Sequence, residues 1–248
     1  KEPTEKITVA LYCPSYYDMR LKITDVIKEY YSNDVLITNI LTDESDLDKI
    51  KETDLIITTI PVSAITATPM ILISLFLNEK DRQLLNEKIE LIRKSKKRKV
   101  FEGYLRELLL PDFFEVSHQG FPTEKECITY MVKKLISYDY VSPDFEEEII
   151  SRENMSSTAF GSFAIPHAMK MHAKKTGINI IISETPIAWK EQPVYLVLIL
   201  CFNKNDRYIF NEIFDPITMI LSIPENVRKI CGCKSYEDFI STMSDLLQ

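Results

Sequence analysis

The residue of this chain best suited to nucleophilic chemistry is His167, a histidine that directly follows a proline. A neutral imidazole is a competent nucleophile near neutral pH, and Pro166 restricts the backbone just before it. Upstream lie Arg152 and several hydroxyl side chains, those of Ser156, Ser157, Thr158 and Ser162. Phosphoryl transfer asks a protein mainly to position groups and to stabilise negative charge, which these side chains can do. The residues suggest a phosphate-accepting histidine, and the competing interpretation is a structural histidine in an apolar stretch.

The composition is that of a globular protein long enough for two domains. The chain has 248 residues, 45% hydrophobic and 27% charged, with a net charge of −7 that argues against nonspecific nucleic-acid binding by the chain as a whole. The longest apolar runs, 70–77 and 194–202, are too short to cross a bilayer, so we expect no membrane insertion. The five cysteines lack disulfide or zinc spacing, and the chain opens without a signal peptide. We expect a cytoplasmic protein with no metal and no cofactor.

Strands and helices alternate along the first hundred residues. The sequence predicts four strands, at 6–13, 34–41, 54–60 and 69–76. The helical period of apolar residues predicts helices at 18–31, 46–51 and 78–98. Such alternation is typical of a small α/β domain with a largely parallel sheet.

A basic run closes the last of these helices, consisting of Arg93, Lys94, Lys96, Lys97, Arg98 and Lys99. Cations suit a helix C-terminus, so we interpret the run as a solvated helix end that leads into a basic linker at 96–106. The alternative is a nucleic-acid patch, which the absence of interleaved aromatic residues disfavours.

The rest of the chain has helices early and late with strands between them. Thr123 and Glu126 have the spacing of a capping box and predict the start of a helix. A second helix is predicted from 142 to 152, strands at 177–183 and 194–202, and a helical tail from 205 to 247. This order predicts an α/β sandwich.

The segment 152–168 resembles the signature of enzyme IIA of the mannitol/fructose class in the carbohydrate phosphotransferase system. The shared features are an Arg-Glu pair, a Ser-Thr step, a glycine, and Ala-Ile-Pro-His ending at His167. Segments 141–150 and 184–197 also resemble the family, so the resemblance covers about 105–248. It implies that His167 accepts phosphate from the phosphocarrier protein HPr, with Arg152 and the Thr158 hydroxyl lining the site.

The sequence departs from this family at one place. Many members have a second histidine after the strand that ends near Phe202, where this chain has Arg207 and Tyr208. Tyrosine could still hydrogen-bond the imidazole or the phosphate, but it cannot become a cation. The departure favours a slower, regulatory acceptor. His172 lies five residues beyond His167 and could approach the site.

The first domain resembles enzyme IIB of the same system over about 5–95, because Cys13-Pro14-Ser15 stands between a strand and a helix. In an active IIB this cysteine accepts phosphate and precedes a glycine-rich loop whose backbone N–H groups wrap the anion. The loop here, 16–20, has no glycine and contains an aspartate. We interpret Cys13 as a small buried residue of a IIB fold with a decayed loop, and a second phosphate acceptor is the alternative.

The resemblances together predict a two-domain α/β protein. A small parallel-sheet, IIB-like domain occupies 1–95, the basic linker 96–106, and a IIA-like α/β sandwich 107–248. This order resembles the C-terminal part of transcriptional regulators that contain PRD domains, of the mannitol-operon, lichenan-operon and Mga types. It implies a homodimer that reaches DNA only through a missing N-terminal region and responds to phosphorylation of His167 by HPr.

Two other functions are compatible with the same residues. The first is a IIBA transport component that relays phosphate from HPr through His167 and Cys13 to a sugar. The second is an interaction module in which His167 is inert. We expect a regulatory phosphoacceptor more than a turnover enzyme; if the chain is an enzyme, it is a phosphotransferase.

Overall fold

The computed structural model describes residues 6–14, 18–50, 52–63 and 65–247. The chain divides into two compact units, residues 1–96 and 97–248. Both are α/β, as the sequence predicts, and each has its own sheet. Within the described ranges, no helix is long and apolar enough to cross a membrane.

The first unit is built on a parallel four-stranded sheet with the order β2-β1-β3-β4. Its strands are β1 (Ile7–Tyr12), β2 (Val35–Leu41), β3 (Leu55–Thr58) and β4 (Met70–Leu72). The helices are α1 (Met19–Tyr31), a 3-10 helix (Glu44–Lys49) and α2 (Glu79–Leu108). The predicted parallel sheet is confirmed, with a fourth strand shorter than expected.

Two apolar clusters cover the two faces of this sheet. On one face α1 contributes Ile23 and Ile27, and α2 contributes Leu85 and Ile89. On the other face Leu47 of the 3-10 helix packs against Tyr12, Ala10 and Ile56. All four residues of β3 are buried because successive side chains point to opposite faces and both faces are covered.

Helix α2 is longer than the sequence predicts, since it continues through 96–106 and ends at Leu108. The residues expected to form a linker are therefore helical. The cause lies beyond the basic run, where Phe101, Leu105 and Leu108 recur at helical spacing and enter the core of the second unit. The basic run hides this pattern, because its charges resemble a helix end.

Three of these basic residues have partners within their own unit. Arg93 pairs with Asp34 at 2.6 Å, and Lys96 pairs with Asp54 at 3.2 Å. Arg98 donates to the backbone carbonyl oxygens of Asp245 and Leu247. These contacts explain the positions of Arg93, Lys96 and Arg98 within the helix. They favour a structural role for these residues over a nucleic-acid patch.

The second unit has a mixed five-stranded sheet with the order β5-β8-β9-β7-β6. Its strands are β5 (Phe114–Ser117), β6 (Ala159–Phe160), β7 (Phe163–Ala164), β8 (His172–Trp189) and β9 (Gln192–Asn203). Its helices are α3 (Glu124–Ser137), α4 (Phe145–Met155), α5 (Arg207–Leu221), α6 (Pro224–Cys231) and α7 (Tyr236–Leu246). The predicted cap of α3 is present, because the Thr123 hydroxyl accepts from the Glu126 N–H at 3.3 Å.

The centre of this sheet is covered on both faces. Residues 178–183 of β8 and 196–201 of β9 are buried without interruption. Helix α3 packs on β8, and α5 and α6 pack on β9. Trp189, Phe113 and Phe239 are the largest fully buried side chains of the unit. The layered α/β architecture agrees with the predicted sandwich.

Gly177 gives a test of the packing in the second unit. A Cβ added there would lie 2.5 Å from Cε1 and 2.7 Å from Cδ1 of Tyr140, whose ring stacks edge-on against Phe113. We expect Gly177→Ala to lower the free energy of unfolding by about 1–3 kcal/mol, measured by urea denaturation. Gly103→Ala in α2 is the matched control, since nothing lies within 4 Å of its added Cβ. It should be neutral or stabilising, and equal stability of the two variants would contradict the packing described.

Candidate functional site

His167 lies just beyond β7, where its backbone forms a parallel bridge with Leu200 of β9. Its Nδ1 atom is 2.9 Å from the carbonyl oxygen of Ile165. A carbonyl oxygen only accepts hydrogen bonds, so this contact places a proton on Nδ1 and leaves the lone pair on Nε2. The nucleophilic atom of this imidazole is therefore Nε2.

The imidazole opens into a cavity of about 310 Å³. Its walls are mainly apolar, formed by Phe145, Met169, Met171, Leu200, Phe202 and Phe214. Besides His167, the charged or titratable groups in the lining are Arg152 and Lys170. The arrangement is a nucleophile and two cations around a hollow with mainly apolar walls.

Arg152 is held in place by the end of its own helix. It lies in the last turn of α4, and its Nη1 donates to the carbonyl oxygen of Ser156 at 2.9 Å. This bond uses one of the five N–H donors of the guanidinium. Within the described ranges neither Arg152 nor Lys170 forms an ion pair. Both cations can therefore interact with an anion.

A buried carboxylate, that of Glu153, lies beside the site. Glu153 is 2% exposed. Its Oε1 accepts from the backbone N–H of Thr158 at 2.8 Å and from the indole N–H of Trp189 at 2.9 Å. Its Oε2 accepts from the Thr158 hydroxyl at 2.6 Å. A buried carboxylate without such donors would be strongly destabilising, so each donor helps to fix the position of this side chain.

Hydrogen bonds connect this carboxylate to the nucleophile. Thr158, which Glu153 holds at two points, accepts from the Ile165 N–H at 3.3 Å through its carbonyl oxygen. The Ile165 carbonyl oxygen in turn accepts from Nδ1 of His167. The series Glu153, Thr158, Ile165, His167 therefore sets the orientation and the tautomer of the imidazole.

The structure places Thr158 beneath the site and not at its surface. Thr158 is 4% exposed, does not line the cavity, and donates its hydroxyl proton to Glu153. The sequence predicts that this hydroxyl lines the site. Its proton is committed to a stronger, charged acceptor, so its contribution is to position the loop.

The residues that stand where a second histidine was expected do not reach the cavity. Tyr208 is 65% exposed on α5 and, like Arg207, is not part of the lining. His172 is exposed at the start of β8 and does not line it either. The structure therefore brings together His167 and Arg152 but not Tyr208.

Cys13 is 2% exposed and packs in the first unit's apolar cluster. Of the loop that follows it, residues 15–17 lie outside the described residues, and Asp18 has a left-handed backbone with φ of 51°. The burial favours the interpretation of Cys13 as a core residue, since a thiol must be accessible to react. Within the described ranges, no group of three or more His, Cys, Asp or Glu side chains could hold a metal ion.

Two contributors to the site were not identified from the sequence. Glu153 follows Phe145 and Ile149 at steps of four, so the helical period places it on the buried face of α4. A charged residue on a buried face indicates that hydrogen-bond donors lie nearby. Lys170 lies in an irregular segment after His167, and no periodic signal indicates where its side chain lies.

A second hollow, of about 320 Å³, adjoins the first. Arg152 and Lys170 line both hollows, whereas Asp144, Glu147 and Glu148 line only the second. A hydrogen bond from Ser142 keeps the pKa of Asp144 below its ordinary value, so this carboxyl is ionised at neutral pH. The two cations thus stand between a hollow with the nucleophile and a hollow with negative charge.

Comparison with known families gives one match over most of the second unit. The family described as "Phosphoenolpyruvate-dependent sugar phosphotransferase system, EIIA 2" matches residues 107–245. The "Mannitol-specific phosphotransferase enzyme IIA component" of Bacillus subtilis is 29% identical over 133 residues, which are 52% of this chain and 92% of that protein.

Two Bacillus subtilis regulators match a larger part of the chain. The "Probable licABCH operon regulator" is 27% identical over 90% of this chain, and "Transcriptional regulator ManR" is 26% identical over 88%. The chain spans about a third of the length of these regulators, 32% and 34% respectively.

Two solved structures that resemble part of the chain are more distant in sequence. The crystal structure of nitrogen regulatory protein IIA-Ntr from Neisseria meningitidis has a TM-score of 0.49 and 20% identity, covering 55% of this chain and 97% of that chain. The crystal structure of IIA mannitol from Escherichia coli has a TM-score of 0.43 and 18% identity, covering 52% and 94%.

Because Glu153 accepts three buried hydrogen bonds, we expect its substitution to lower the free energy of unfolding. Glu153→Ala leaves the Thr158 N–H and the Trp189 indole without their acceptor, and should lower the free energy of unfolding by about 2–4 kcal/mol. Glu153→Gln should cost less, because its amide oxygen can accept both bonds and its nitrogen can donate to the Thr158 hydroxyl.

Urea denaturation measures both variants, with Glu147→Ala as the control. Glu147 is an exposed glutamate on the same helix, and its substitution should change stability by less than about 0.5 kcal/mol. Equal stability of Glu153→Ala and Glu147→Ala would show that the buried carboxylate does not hold the loop.

Proposed function

The chain belongs to the phosphoenolpyruvate-dependent sugar phosphotransferase system EIIA 2 family, and we propose that it is the regulatory phosphoacceptor region of a sugar-responsive bacterial transcriptional regulator. In this proposal HPr phosphorylates His167. The phosphoryl group then modulates dimerisation or DNA binding of the full-length protein.

The observation that carries this proposal is the extent of the similarity. The two regulators match 90% and 88% of the chain, so the similarity includes the first unit, whereas the mannitol IIA component matches 52%. The first unit would then be a IIB-like domain over 1–95 that is retained inside a regulator. The second, over 107–248, would be the IIA-like domain that receives phosphate.

The geometry of the site supports phosphate acceptance on Nε2. The hydrogen bond from Nδ1 to the Ile165 carbonyl leaves the lone pair on Nε2, and His167 lines the cavity. In the transfer step a bond forms between Nε2 and phosphorus, and the bond between phosphorus and the donor atom breaks. Arg152, oriented by Ser156, is placed to stabilise the charge of the transferred group.

The regulatory effect follows from the charge that the transfer adds. A phosphoryl group on His167 brings up to about two negative charges into a hollow with apolar walls. A change of this size can bias a two-state interface by a few kcal/mol at most, which is enough for a switch. We propose that the interface belongs to a homodimer.

The alternative is a transport component that passes phosphate onward through Cys13 to a sugar. The burial of Cys13 argues against it, because the thiol would have to leave the apolar cluster to accept a phosphoryl group. An inert interaction module would require His167 to resist phosphorylation although it lines the cavity.

Phosphate mapping tests the proposal. The chain is incubated with enzyme I, HPr and phosphoenolpyruvate, and the modified residue is located by mass spectrometry. We expect one phosphoryl group, which His167→Ala abolishes and Cys13→Ser leaves unchanged.

Other outcomes distinguish the alternatives. Label on both residues that passes to sugar in the presence of membranes would establish the transport component and overturn the regulator. Absence of label on a folded chain would support the inert module. His172→Ala serves as the matched control, because this histidine lies outside the cavity and should leave the label in place.

A further inference from the structure

Lys170 is a charged residue at the His167 site that has no role in the proposed transfer so far. It lies three residues after the nucleophile and lines the same cavity as His167 and Arg152. Within the described part of the chain it has no ion-pair partner, although acidic side chains line the adjoining hollow. A lysine that forms no ion pair and lies beside a nucleophile can bind an anion that enters the cavity.

The site has a place for a second cation. Phosphorylation of Nε2 would bring about two negative charges into a hollow whose walls are largely Phe, Met and Leu side chains. Such walls solvate the charge poorly, so cations in the lining would stabilise it. Arg152 supplies one positive charge, whereas neither Arg207 nor Tyr208 lines the cavity.

We propose that Lys170 is the second cation of this site and contacts the phosphoryl group on Nε2 of His167. The inference rests on the proposed function, because it assumes that His167 accepts phosphate. Lys170 takes the place in charge, though not in sequence, that a second histidine has in many family members. The exposed segment and the flexible four-carbon stem let the ammonium group follow the phosphate during transfer.

The surroundings of Lys170 are consistent with its lack of an ion-pair partner, among the described residues, before phosphorylation. Asp144, Glu147 and Glu148 line the hollow on the other side of the two cations. These carboxylates attract the ammonium group through solvent without fixing it in an ion pair. The arriving phosphoryl group, with up to about two negative charges on one group, then becomes the better partner.

The competing role for Lys170 is to offset the neighbouring carboxylates or to contact a protein donor. A small phosphodonor separates these roles from contact with the phosphate. Phosphoramidate needs no protein docking: a bond forms between Nε2 and phosphorus, the P–N bond of the donor breaks, and the amine leaves as ammonia with a proton from solvent.

The experiment compares the whole chain with Lys170→Gln, Lys170→Arg and the matched control Lys133→Gln. Lys133 is an exposed lysine on α3 that does not line the cavity. The measured quantity is the initial rate of phosphohistidine formation, with phosphoramidate and separately with phosphorylated HPr. Thermal unfolding of each variant establishes that it is folded.

We expect Lys170→Gln to slow phosphorylation roughly tenfold with both donors, because an exposed cation is partly screened. Lys170→Arg should recover most of the rate, since it keeps the charge, and Lys133→Gln should equal the unsubstituted chain. An unchanged rate for Lys170→Gln with phosphoramidate overturns the inference. A loss confined to phosphorylated HPr also overturns it, because Lys170 would then act in docking.

The outcomes for the proposed function are separate. If the unsubstituted chain is phosphorylated by neither donor, or if His167→Ala is phosphorylated as well as the unsubstituted chain, the proposed function fails and the inference fails with it. If the unsubstituted chain is labelled on His167 but Lys170→Gln is not slowed, only the inference fails.

Discussion

The second unit depends on the burial of one negative charge, the carboxylate of Glu153. Its oxygens accept three hydrogen bonds, from the backbone and hydroxyl of Thr158 and from the indole of Trp189. The carbonyl oxygen of Glu153 also accepts from Nζ of Lys190. Because a buried charge is tolerated only when it is satisfied, these bonds hold the end of α4, the loop after it and the β8–β9 turn in one arrangement.

The proposed site divides its work between two sets of residues. Below the imidazole, a series of hydrogen bonds that begins at the Glu153 side chain and ends at the Ile165 carbonyl fixes its direction and tautomer. Around the cavity, Arg152 and Lys170 provide positive charge. The first set must be rigid to present Nε2. In the second set Arg152 is held by the Ser156 carbonyl oxygen, whereas Lys170 lies in an exposed segment and can adjust its position.

Much of the fold was predictable because it follows local patterns. The continuous apolar run of β3 indicates burial and Thr123 indicates a helix start, and the buried strand and the Thr123 N-cap are both present. The sequence analysis ends α2 too early, since the basic run resembles a helix end and hides the helical spacing of Phe101, Leu105 and Leu108 beyond it. At the site, His167 and Arg152 share one cavity, as the motif suggests. The position of Thr158 beneath it and of Lys170 beside it depends on tertiary contacts.

The series of hydrogen bonds through Glu153 has the indole of Trp189 at one end and the imidazole of His167 at the other. It is the single tryptophan of the chain, fully buried, with its N–H bonded to Glu153. The whole intrinsic tryptophan emission of the protein therefore arises from one fluorophore whose excited state senses that carboxylate. Any displacement of the loop between Glu153 and His167 alters the field at the indole ring. The fold thus contains its own optical probe of the site, without an added label.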